Sequence, residues 1–125
     1  MIFGIGIDLI EVDRIKRVCD KWGSRFTSRI FTKNELDYCN SKRNRYQSLA
    51  GRFAAKEALF KALGTGLNFG MRWKEIEVVN DKLGKPSIVL SGEVASFTDR
   101  LGIKEALVSM SHTKQFAVAQ VILVK

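Results

Sequence analysis

The chain has 125 residues, of which 46% are hydrophobic and 27% are charged. These values are typical of one globular domain with its own core, and they exclude a disordered or fibrous protein. Lysine and arginine outnumber aspartate and glutamate by 21 to 13, which gives a formal net charge of +8. We therefore expect an acidic partner, and the charge alone fits nucleic acid, a membrane surface, an acidic protein or a phosphorylated small molecule.

The composition of the sequence indicates neither a membrane span nor a signal peptide. Its longest wholly apolar run is only a few residues, and its first ten residues lack the basic start and long apolar centre of a signal peptide. Cys19 and Cys39 are expected to be free thiols, because two cysteines in such a chain rarely pair. The prediction is a cytoplasmic protein with a single domain over residues 1–125.

The first predicted element is a buried strand over Ile2–Ile10, which is rich in isoleucine. Gly4 and Gly6 interrupt it, and glycine within a strand indicates that another backbone or a ligand comes close. Asp8 lies near the predicted exit of this strand. Taken alone, an acid in that position is more often a turn residue than a metal ligand or a catalytic group.

A short amphipathic helix is predicted over Val12–Trp22, where apolar residues recur at helical spacing. Its outer face is strongly basic, and Arg25 extends the positive charge into the next segment. Further along, Thr32 and Glu35 have the spacing of a capping box, which predicts the start of another helix. The basic residues of the outer face are Arg14, Lys16, Arg17 and Lys21.

After a polar turn at Ser41–Arg45, the pattern predicts a long helix that ends near Leu63, with Gly64 in the left-handed position that follows a helix. One stripe of this helix contains Tyr46, Ala50, Phe53, Glu57 and Phe60 and should face the core. Glu57 is the exception on that stripe. A carboxylate there costs on the order of several kcal/mol unless a cation or a metal compensates it.

The segments WKEIEVVN and PSIVLS are strand-like and flank a turn, so they predict a hairpin. A helix over Gly92–Leu101 and strands over Ala106–Met110 and Phe116–Val124 complete the chain, with His112 at the turn between the last two strands. Helices and strands do not alternate regularly. The predicted fold class is α+β, with an antiparallel sheet packed against a long central helix.

Asp8 and Glu57 would converge if the first strand packs on the long helix. Two hard oxygen ligands among many cations suit magnesium, which takes phosphate oxygens and waters as its remaining ligands. Lys61, one helical turn beyond Glu57, could pair with it or reach a phosphate. The residues alone leave an equally weighted alternative, in which Glu57 and Lys61 form a buried salt bridge and Asp8 is unrelated.

Three segments carry a resemblance to a known family. GIGIDLIEVDRI near the start, RFAAKEALFKALGTG in the long helix and SMSHTKQFAVAQV near the end occur in this order. Together they resemble the holo-[acyl-carrier-protein] synthase family, the small bacterial phosphopantetheinyl transferases, along essentially the whole chain. The resemblance implies the 4′-phosphopantetheinyl transferase fold. It also implies transfer of 4′-phosphopantetheine from coenzyme A to a serine of apo acyl carrier protein, with release of adenosine 3′,5′-bisphosphate, in support of fatty acid biosynthesis.

The same resemblance implies roles for individual residues. Asp8 and Glu57 would hold magnesium together with the coenzyme A diphosphate, and Lys61 would stabilise charge on the phosphoryl oxygens. Glu57, directly or through a water on the metal, is the candidate for removing the serine proton. Gly64, Thr65 and Gly66 follow a helix rather than precede one, so they would border the cofactor cleft and not cradle a phosphate through a helix dipole. Candidates for the coenzyme A phosphates are Lys42, Arg43, Arg45, Arg52, His112 and Thr113.

The implied partners account for the basic charge. Arg14, Arg17, Lys21 and Arg25 suit the acidic recognition helix of a carrier protein, and the resemblance implies a homotrimer with active sites between subunits. No nucleic acid and no membrane are expected as partners. A nucleic-acid-binding module fits the net charge equally well but leaves Glu57 unexplained. Another magnesium-dependent phosphoryl transferase is the closer alternative, and only the three segments argue against it.

Overall fold

The structure is a computed structural model that describes all residues from Met1 to Lys125. It contains five strands, five α-helices and a short 3-10 turn at Trp73–Glu75. The strands are β1 (Ile2–Glu11), β2 (Ile76–Asn80), β3 (Pro86–Leu90), β4 (Glu105–His112) and β5 (Phe116–Val124). The helices are α1 (Val12–Trp22), α2 (Ser24–Ile30), α3 (Lys33–Asn40), α4 (Arg45–Leu63) and α5 (Gly92–Arg100).

One antiparallel sheet has the strand order β1-β5-β4, and β2 and β3 form a separate hairpin. Alternate side chains of β5 face α4 and are almost fully buried; they are Ala117, Ala119, Val121 and Leu123. The long helix therefore covers one face of the sheet. The predicted α+β fold, with an antiparallel sheet against a long central helix, is confirmed.

The predicted close approach at Gly4 and Gly6 is also confirmed, and the approaching group is the backbone of α4. A Cβ atom at Gly4 would collide with the carbonyl oxygen of Ala62, and one at Gly6 with that of Ala58. Only glycine leaves room for the helix at these two positions. Because strand side chains alternate, Asp8 lies on the same face of β1 as these glycines. Asp8 lies within the strand, which continues to Glu11, and is not a turn residue.

The burial of α4 differs from the predicted single stripe. Ala50 and Phe60 are buried as expected, whereas Glu57 is only half-buried. The charged side chains that are buried most deeply are Arg52, with 2% exposed, and Lys56, with none exposed. The pattern of the sequence identified Glu57 as the anomalous charge, and Lys56 carries the larger burial cost. The helix packs against the sheet on one side and against α3 and the hairpin on the other, so little of it reaches solvent.

Most predicted element boundaries hold. Thr32 and Glu35 form the capping box at the start of α3, and Gly64 ends α4 with φ of 80°. Two boundaries differ by more than one residue. Trp73–Glu75 is a 3-10 turn and not strand, because the Glu75 carboxylate accepts from the backbone N–H groups of Arg72, Glu93 and Val94 and ties the turn to α5. In addition, β4 continues to His112, so this residue lies at the end of a strand and not in the turn.

Cys19 and Cys39 are both free, as predicted, and both are buried. Burial raises the pKa of each thiol above its ordinary value. None of the helices combines the length and the apolar character that crossing a membrane requires.

Candidate functional site

The first group of predicted site residues meets where β1 passes under α4. The Nζ atom of Lys61 donates to Asp8 Oδ1 at 3.0 Å and to the carbonyl oxygen of Ile7 at 3.1 Å. Lys61 is therefore the partner of Asp8, and the alternative in which it forms a buried salt bridge with Glu57 is wrong. The Asp8 side chain is 16% exposed and that of Lys61 is 53% exposed, so this pair lies at the rim of the site and reaches solvent.

Glu57 shares this site without a partner of its own. Its half-buried carboxylate makes no hydrogen bond or ion pair within the chain. Burial raises the pKa of Glu57, the negative charge of Asp8 raises it further, and the positive charges of Lys61 and Arg14 offset part of the increase. Asp8, Lys61 and Arg14 are thus near enough to act on Glu57. The site therefore contains a carboxylate that no hydrogen bond or ion pair of the protein satisfies.

This donor set fits magnesium. No third Asp, Glu, His or Cys side chain joins Asp8 and Glu57 in a cluster that could hold a metal ion. Two carboxylates are what the protein supplies to a magnesium ion when phosphate oxygens and waters complete the shell. Zinc and calcium sites usually draw more ligands from the protein. Asp8 and Glu57 are therefore the residues that could hold the ion.

The second group of predicted site residues lines a cavity of about 310 Å³. Three elements form its walls: α3, the first half of α4, and the β2–β3 hairpin, with the end of β4 closing one side. Both cations and polar side chains point into it. Its lining includes Tyr38, Lys42, Ser48, Arg52, Asn80, Pro86 and His112.

Arg52 is the fixed cation of this cavity. Its Nη1 atom donates to Ser48 Oγ at 3.2 Å, and its Nη2 atom donates to Asn80 Oδ1. The guanidinium carbon lies 4.4 Å from the centre of the Tyr38 ring, in a cation–π contact. The Nε atom is buried and has no hydrogen-bond partner. A guanidinium held in this way at the wall of a cavity is suited to bind an anion such as a phosphate.

The remaining candidates for phosphate binding lie elsewhere. Arg43 and Arg45 line a separate concavity together with Lys16 and Lys114. The Nε atom of Arg45 donates to Asn40 Oδ1 at 2.6 Å. The Thr113 hydroxyl accepts from the backbone N–H groups of Gln115 and Phe116 and so closes the β4–β5 turn.

Gly64, Thr65 and Gly66 follow the end of α4. The hydroxyl of Thr65 donates to the carbonyl oxygen of Gly66 at 2.7 Å. Gly64 and Gly66 both have positive φ values, of 80° and 63°, which favour glycine. This segment turns the chain after the helix, as predicted.

The two groups of residues lie on different sides of α4. Asp8, Glu57 and Lys61 do not line the cavity that contains Arg52. Arg52 and Glu57 are five positions apart on the helix, which places their side chains about 140° apart around its axis. A single chain therefore presents two half-sites that are separated by the body of the helix.

The predicted basic face is exposed. Arg14, Arg17 and Lys21 project from α1, and Arg25 projects from α2. Beside them lies a groove of about 640 Å³ with an apolar floor formed by Val18 and Phe26. Trp22, which is 49% exposed, borders the same groove. A groove of this kind, apolar inside and positive at its rim, is suited to an amphipathic acidic helix.

The sheet face opposite α4 is apolar and open. Ile5, Ile7 and Leu9 of β1 are 55%, 58% and 64% exposed, and Leu107 of β4 is 47% exposed. Cross-strand pairing places Ile5 beside Ile122 and Leu107 beside that same residue. A contiguous apolar face of this kind is typical of a surface that another protein covers.

Sequence reasoning missed several residues of the cavity. Asn80, which orients Arg52, ends β2 just before the hairpin turn, and a polar residue at the end of a strand was an available signal. Tyr38 and Ser48 carried no such signal, because each lies on a helix that the pattern already explained by core packing. Their role depends on how α3 and α4 pack together.

Similarity to known proteins identifies the family of the chain. The sequence profile of the 4′-phosphopantetheinyl transferase superfamily matches residues 4–121. The chain is 46% identical, over 123 residues, to a holo-[acyl-carrier-protein] synthase of Solibacter usitatus, and the match covers 98% of each chain. It is 48% identical, over 122 residues, to the enzyme of that name from Halothermothrix orenii, covering 98% of this chain and 97% of that one.

Solved structures are similar in fold as well. The holo-[acyl-carrier-protein] synthase of Neisseria meningitidis matches with a TM-score of 0.92 and 36% identity, over 100% of both chains. The enzyme of Bacillus anthracis, solved in complex with coenzyme A (3′,5′-ADP), matches with a TM-score of 0.81 and 43% identity, over 98% of this chain and 96% of that one. The chain therefore belongs to the 4′-phosphopantetheinyl transferase superfamily. Within the superfamily, its similarity is to the holo-[acyl-carrier-protein] synthases.

Proposed function

We propose that this chain carries out the reaction for which its relatives are named. It transfers 4′-phosphopantetheine from coenzyme A to a serine hydroxyl of apo acyl carrier protein and releases adenosine 3′,5′-bisphosphate. The observation that carries the proposal is the pair of Asp8 and Glu57 beside Lys61, in a chain that matches the family over nearly its whole length. A cytoplasmic location agrees with the two free buried thiols.

Asp8 and Glu57 are the proposed ligands of a magnesium ion, together with the diphosphate of coenzyme A. The ion would supply charge neutralisation at the diphosphate. Lys61 is long and half-exposed, so it can turn from Asp8 towards the phosphoryl oxygens and stabilise the charge that develops there. Glu57 is also the proposed base for the serine hydroxyl, because its half-buried carboxylate has no partner within the chain.

The Arg52 cavity is the proposed site for the far end of coenzyme A. The diphosphate of coenzyme A would bind at Asp8 and Glu57. The phosphate that remains for the cavity is therefore the one at the 3′ position of the ribose. Three cationic or titratable side chains, those of Arg52, Lys42 and His112, line this cavity. The hairpin residues Asn80 and Pro86 would border the adenosine.

A homotrimer with active sites between subunits is the proposed assembly. Within one chain the two half-sites lie on different sides of α4, and a molecule that joins them has to reach across a subunit boundary. The open apolar face with Ile5, Ile7 and Leu9 offers a surface for such an assembly.

Subunit mixing tests this sharing. At a low coenzyme A concentration, trimers of Glu57→Ala should be inactive and trimers of Arg52→Ala should show little activity, because each lacks one half-site. Trimers refolded from an equal mixture should regain activity at about a quarter of their sites, where two intact halves meet. Light scattering gives the mass of the assembly. Recovery of no activity from a mixture that forms mixed trimers would place both half-sites in the same subunit.

Arg14, Arg17, Lys21 and Arg25 are proposed to dock the acidic carrier protein. This face borders the acid pair, since Arg14 is close enough to Glu57 to lower its pKa. A carrier bound there would present its serine to the site where Glu57 and Lys61 act.

One assay tests the function as a whole. The protein is incubated with apo acyl carrier protein, coenzyme A and magnesium, and the carrier is weighed by mass spectrometry. We expect the mass of one added phosphopantetheine group. If a known holo-[acyl-carrier-protein] synthase modifies the carrier under the same conditions and this protein does not, the proposed function is wrong.

A further inference from the structure

A buried ion pair lies behind the Arg52 cavity and has no role in the chemistry described above. Lys56 Nζ lies 2.7 Å from Glu35 Oε1, and neither side chain is exposed to solvent. The same nitrogen donates to the carbonyl oxygens of Ile30 at 2.8 Å and Ile76 at 2.6 Å, and it lies 3.2 Å from that of Trp73. Lys56 thus joins α4 to the end of α2, to the 3-10 turn at Trp73 and to the first residue of β2.

Glu35 completes the network from the side of α3. Its Oε1 atom accepts from the backbone N–H of Thr32 at 3.0 Å, and its Oε2 atom accepts from that of Val78 at 2.9 Å. The carboxylate therefore binds the start of α3, the middle of β2 and Lys56 of α4 at the same time. These three partners come from three different parts of the chain.

The elements that this pair joins are the walls of the Arg52 cavity. Lys56 lies one helical turn after Arg52 on α4, and Glu35 lies about one turn before Tyr38 on α3. Val78 lies two residues before Asn80 on β2, with its side chain on the same face of the strand. Tyr38 and Asn80 are the two side chains that, with Ser48, hold the guanidinium of Arg52.

Stability alone gives a weak reason for such a pair. Replacement of buried ion pairs by apolar residues is often neutral or stabilising, because desolvation of the two charges offsets their attraction. A buried pair with defined hydrogen-bond geometry does fix the relative positions of the elements that it joins.

We propose that Glu35 and Lys56 are positioning residues for the binding of coenzyme A. They hold α3, α4 and β2 in the relative positions at which Tyr38 and Asn80 orient Arg52 towards the 3′-phosphate. The inference rests on the proposed function, in which the Arg52 cavity takes that phosphate. It assigns to the pair a measurable effect on phosphate recognition, beyond any effect on folding.

The test compares coenzyme A with 3′-dephospho-coenzyme A as substrates for one preparation of each variant. The ratio of the two kcat/KM values reports how well the 3′-phosphate is recognised. Because both values come from the same sample, the fraction of folded protein cancels, and a partly unfolded variant still gives a valid ratio. The variants are Lys56→Met and Glu35→Gln, and thermal unfolding is recorded for each.

We expect the preference for coenzyme A to fall about tenfold in Lys56→Met and about threefold in Glu35→Gln, since charged hydrogen bonds at the phosphate lose their alignment. The matched controls are Lys33→Met and Asp37→Asn, which break an exposed lysine–carboxylate pair on the same helix, α3. Those controls should keep the wild-type ratio. Arg52→Gln should lower the ratio at least as far as Lys56→Met.

The outcomes separate the inference from the function on which it rests. If Arg52→Gln lowers the ratio and both variants of the pair keep it within twofold, the pair supports folding alone and the positioning role is wrong. If Arg52→Gln also keeps the wild-type ratio, the 3′-phosphate does not bind in this cavity, and both the assignment of the cavity and the positioning role are overturned.

Discussion

The two sides of α4 hold their functional side chains in different ways. On the side of β1, Glu57 has no partner within the chain and Lys61 is half-exposed. On the side of the hairpin, Arg52 is 2% exposed and is held by Ser48, Asn80 and Tyr38. The acid side has unsatisfied charge that a ligand can complete, whereas the arginine side is organised before any ligand arrives.

This difference follows from what each half-site has to do. A group that gains and loses a metal ion, a diphosphate and a proton needs side chains that can move and exchange partners. A group that only recognises a fixed phosphate gains affinity from being held rigidly. We therefore expect substitutions on the acid side to lower turnover with little change in stability, and substitutions on the arginine side to lower both binding and stability.

The largest expected effect comes from removing the acids. Asp8→Ala and Glu57→Ala should each lower magnesium-dependent turnover by roughly a thousandfold or more, because the proposed metal ion loses one of only two protein ligands. Glu57→Ala should leave the thermal unfolding midpoint unchanged or slightly higher, since its carboxylate makes no bond within the chain. Mass spectrometry of the carrier and a thermal scan measure the two effects.

Asp8→Asn is the matched control for shape, since it keeps the size of the side chain and removes its charge. Normal turnover in either alanine variant would remove that residue from the proposed metal site. A large fall in the unfolding midpoint of Glu57→Ala would contradict the difference drawn between the two sides.

The next effect concerns the approach that creates the acid side. Gly6→Ala places a Cβ against the carbonyl oxygen of Ala58 in α4, and neither backbone can give way without separating Asp8 from the helix. We expect a loss of at least about 3 kcal/mol in the free energy of unfolding, which urea titration measures. Gly51→Ala is the control, because its Cβ would meet only the flexible end of Met110, at 3.0 Å. If Gly51→Ala lowers the free energy of unfolding as much as Gly6→Ala does, the close approach of α4 to β1 is not the reason that Gly6 is required.

Features that depend on neighbours in the sequence could be predicted from it. The glycines of β1, the capping box of Thr32 and Glu35 and the end of α4 at Gly64 each follow from local rules, and the structure has all three. Asp8 and Glu57 could be brought together because both lie in elements with strong patterns. The only further assumption was that the strand with Asp8 packs on the helix with Glu57.

Features that depend on several distant segments could not be predicted in this way. The capping box explained Glu35 completely, so nothing suggested that it also binds Lys56 and the N–H of Val78. Helical periodicity likewise gave no sign that Lys56 is buried among carbonyl groups, since those carbonyls come from the end of α2 and the start of β2. The half-site around Arg52 is assembled by contacts between distant segments. For that reason it was harder to predict from the sequence than the half-site around Glu57.

A smaller effect is expected on the basic face. Arg14→Glu should raise the KM for the carrier protein roughly tenfold and leave the KM for coenzyme A unchanged, because reversal of a charge at a rim mainly slows association. The effect should shrink as salt is added, since exposed charges are screened. Steady-state kinetics with each substrate varied in turn gives both constants. Lys82→Glu, at the exposed tip of the hairpin, is the control and should change neither value.

An equal increase in both KM values for Arg14→Glu would mean that the docking face has been placed incorrectly. An increase for Lys82→Glu as large as that for Arg14→Glu would mean that net charge, and not this face, attracts the carrier.

The smallest effect uses the two thiols as reporters for the two regions. Cys39 is fully buried, lies 3.2 Å from Ser48 Oγ behind the rigid half-site, and has its pKa raised by burial, with Arg52 and Ser48 offsetting part of the increase. Cys19, on the inner face of α1 beneath the basic face, is 8% exposed. Because the thiolate is the reactive form, both should react slowly with DTNB at pH 8, and Cys39 more slowly than Cys19.

Peptide mass spectrometry after timed labelling gives the two rates, and unfolding in urea should make them equal. Because the pKa of each thiol is raised in the folded state, its contribution to stability is fully present below the pKa of the unfolded chain and is lost as the pH rises through the higher pKa of the folded state. If Cys39 reacts faster than Cys19, α3 opens away from Ser48 more readily than α1 opens from the core. In that case the arginine side is the more mobile of the two sides. The conclusion that it is organised before a ligand binds would then be wrong.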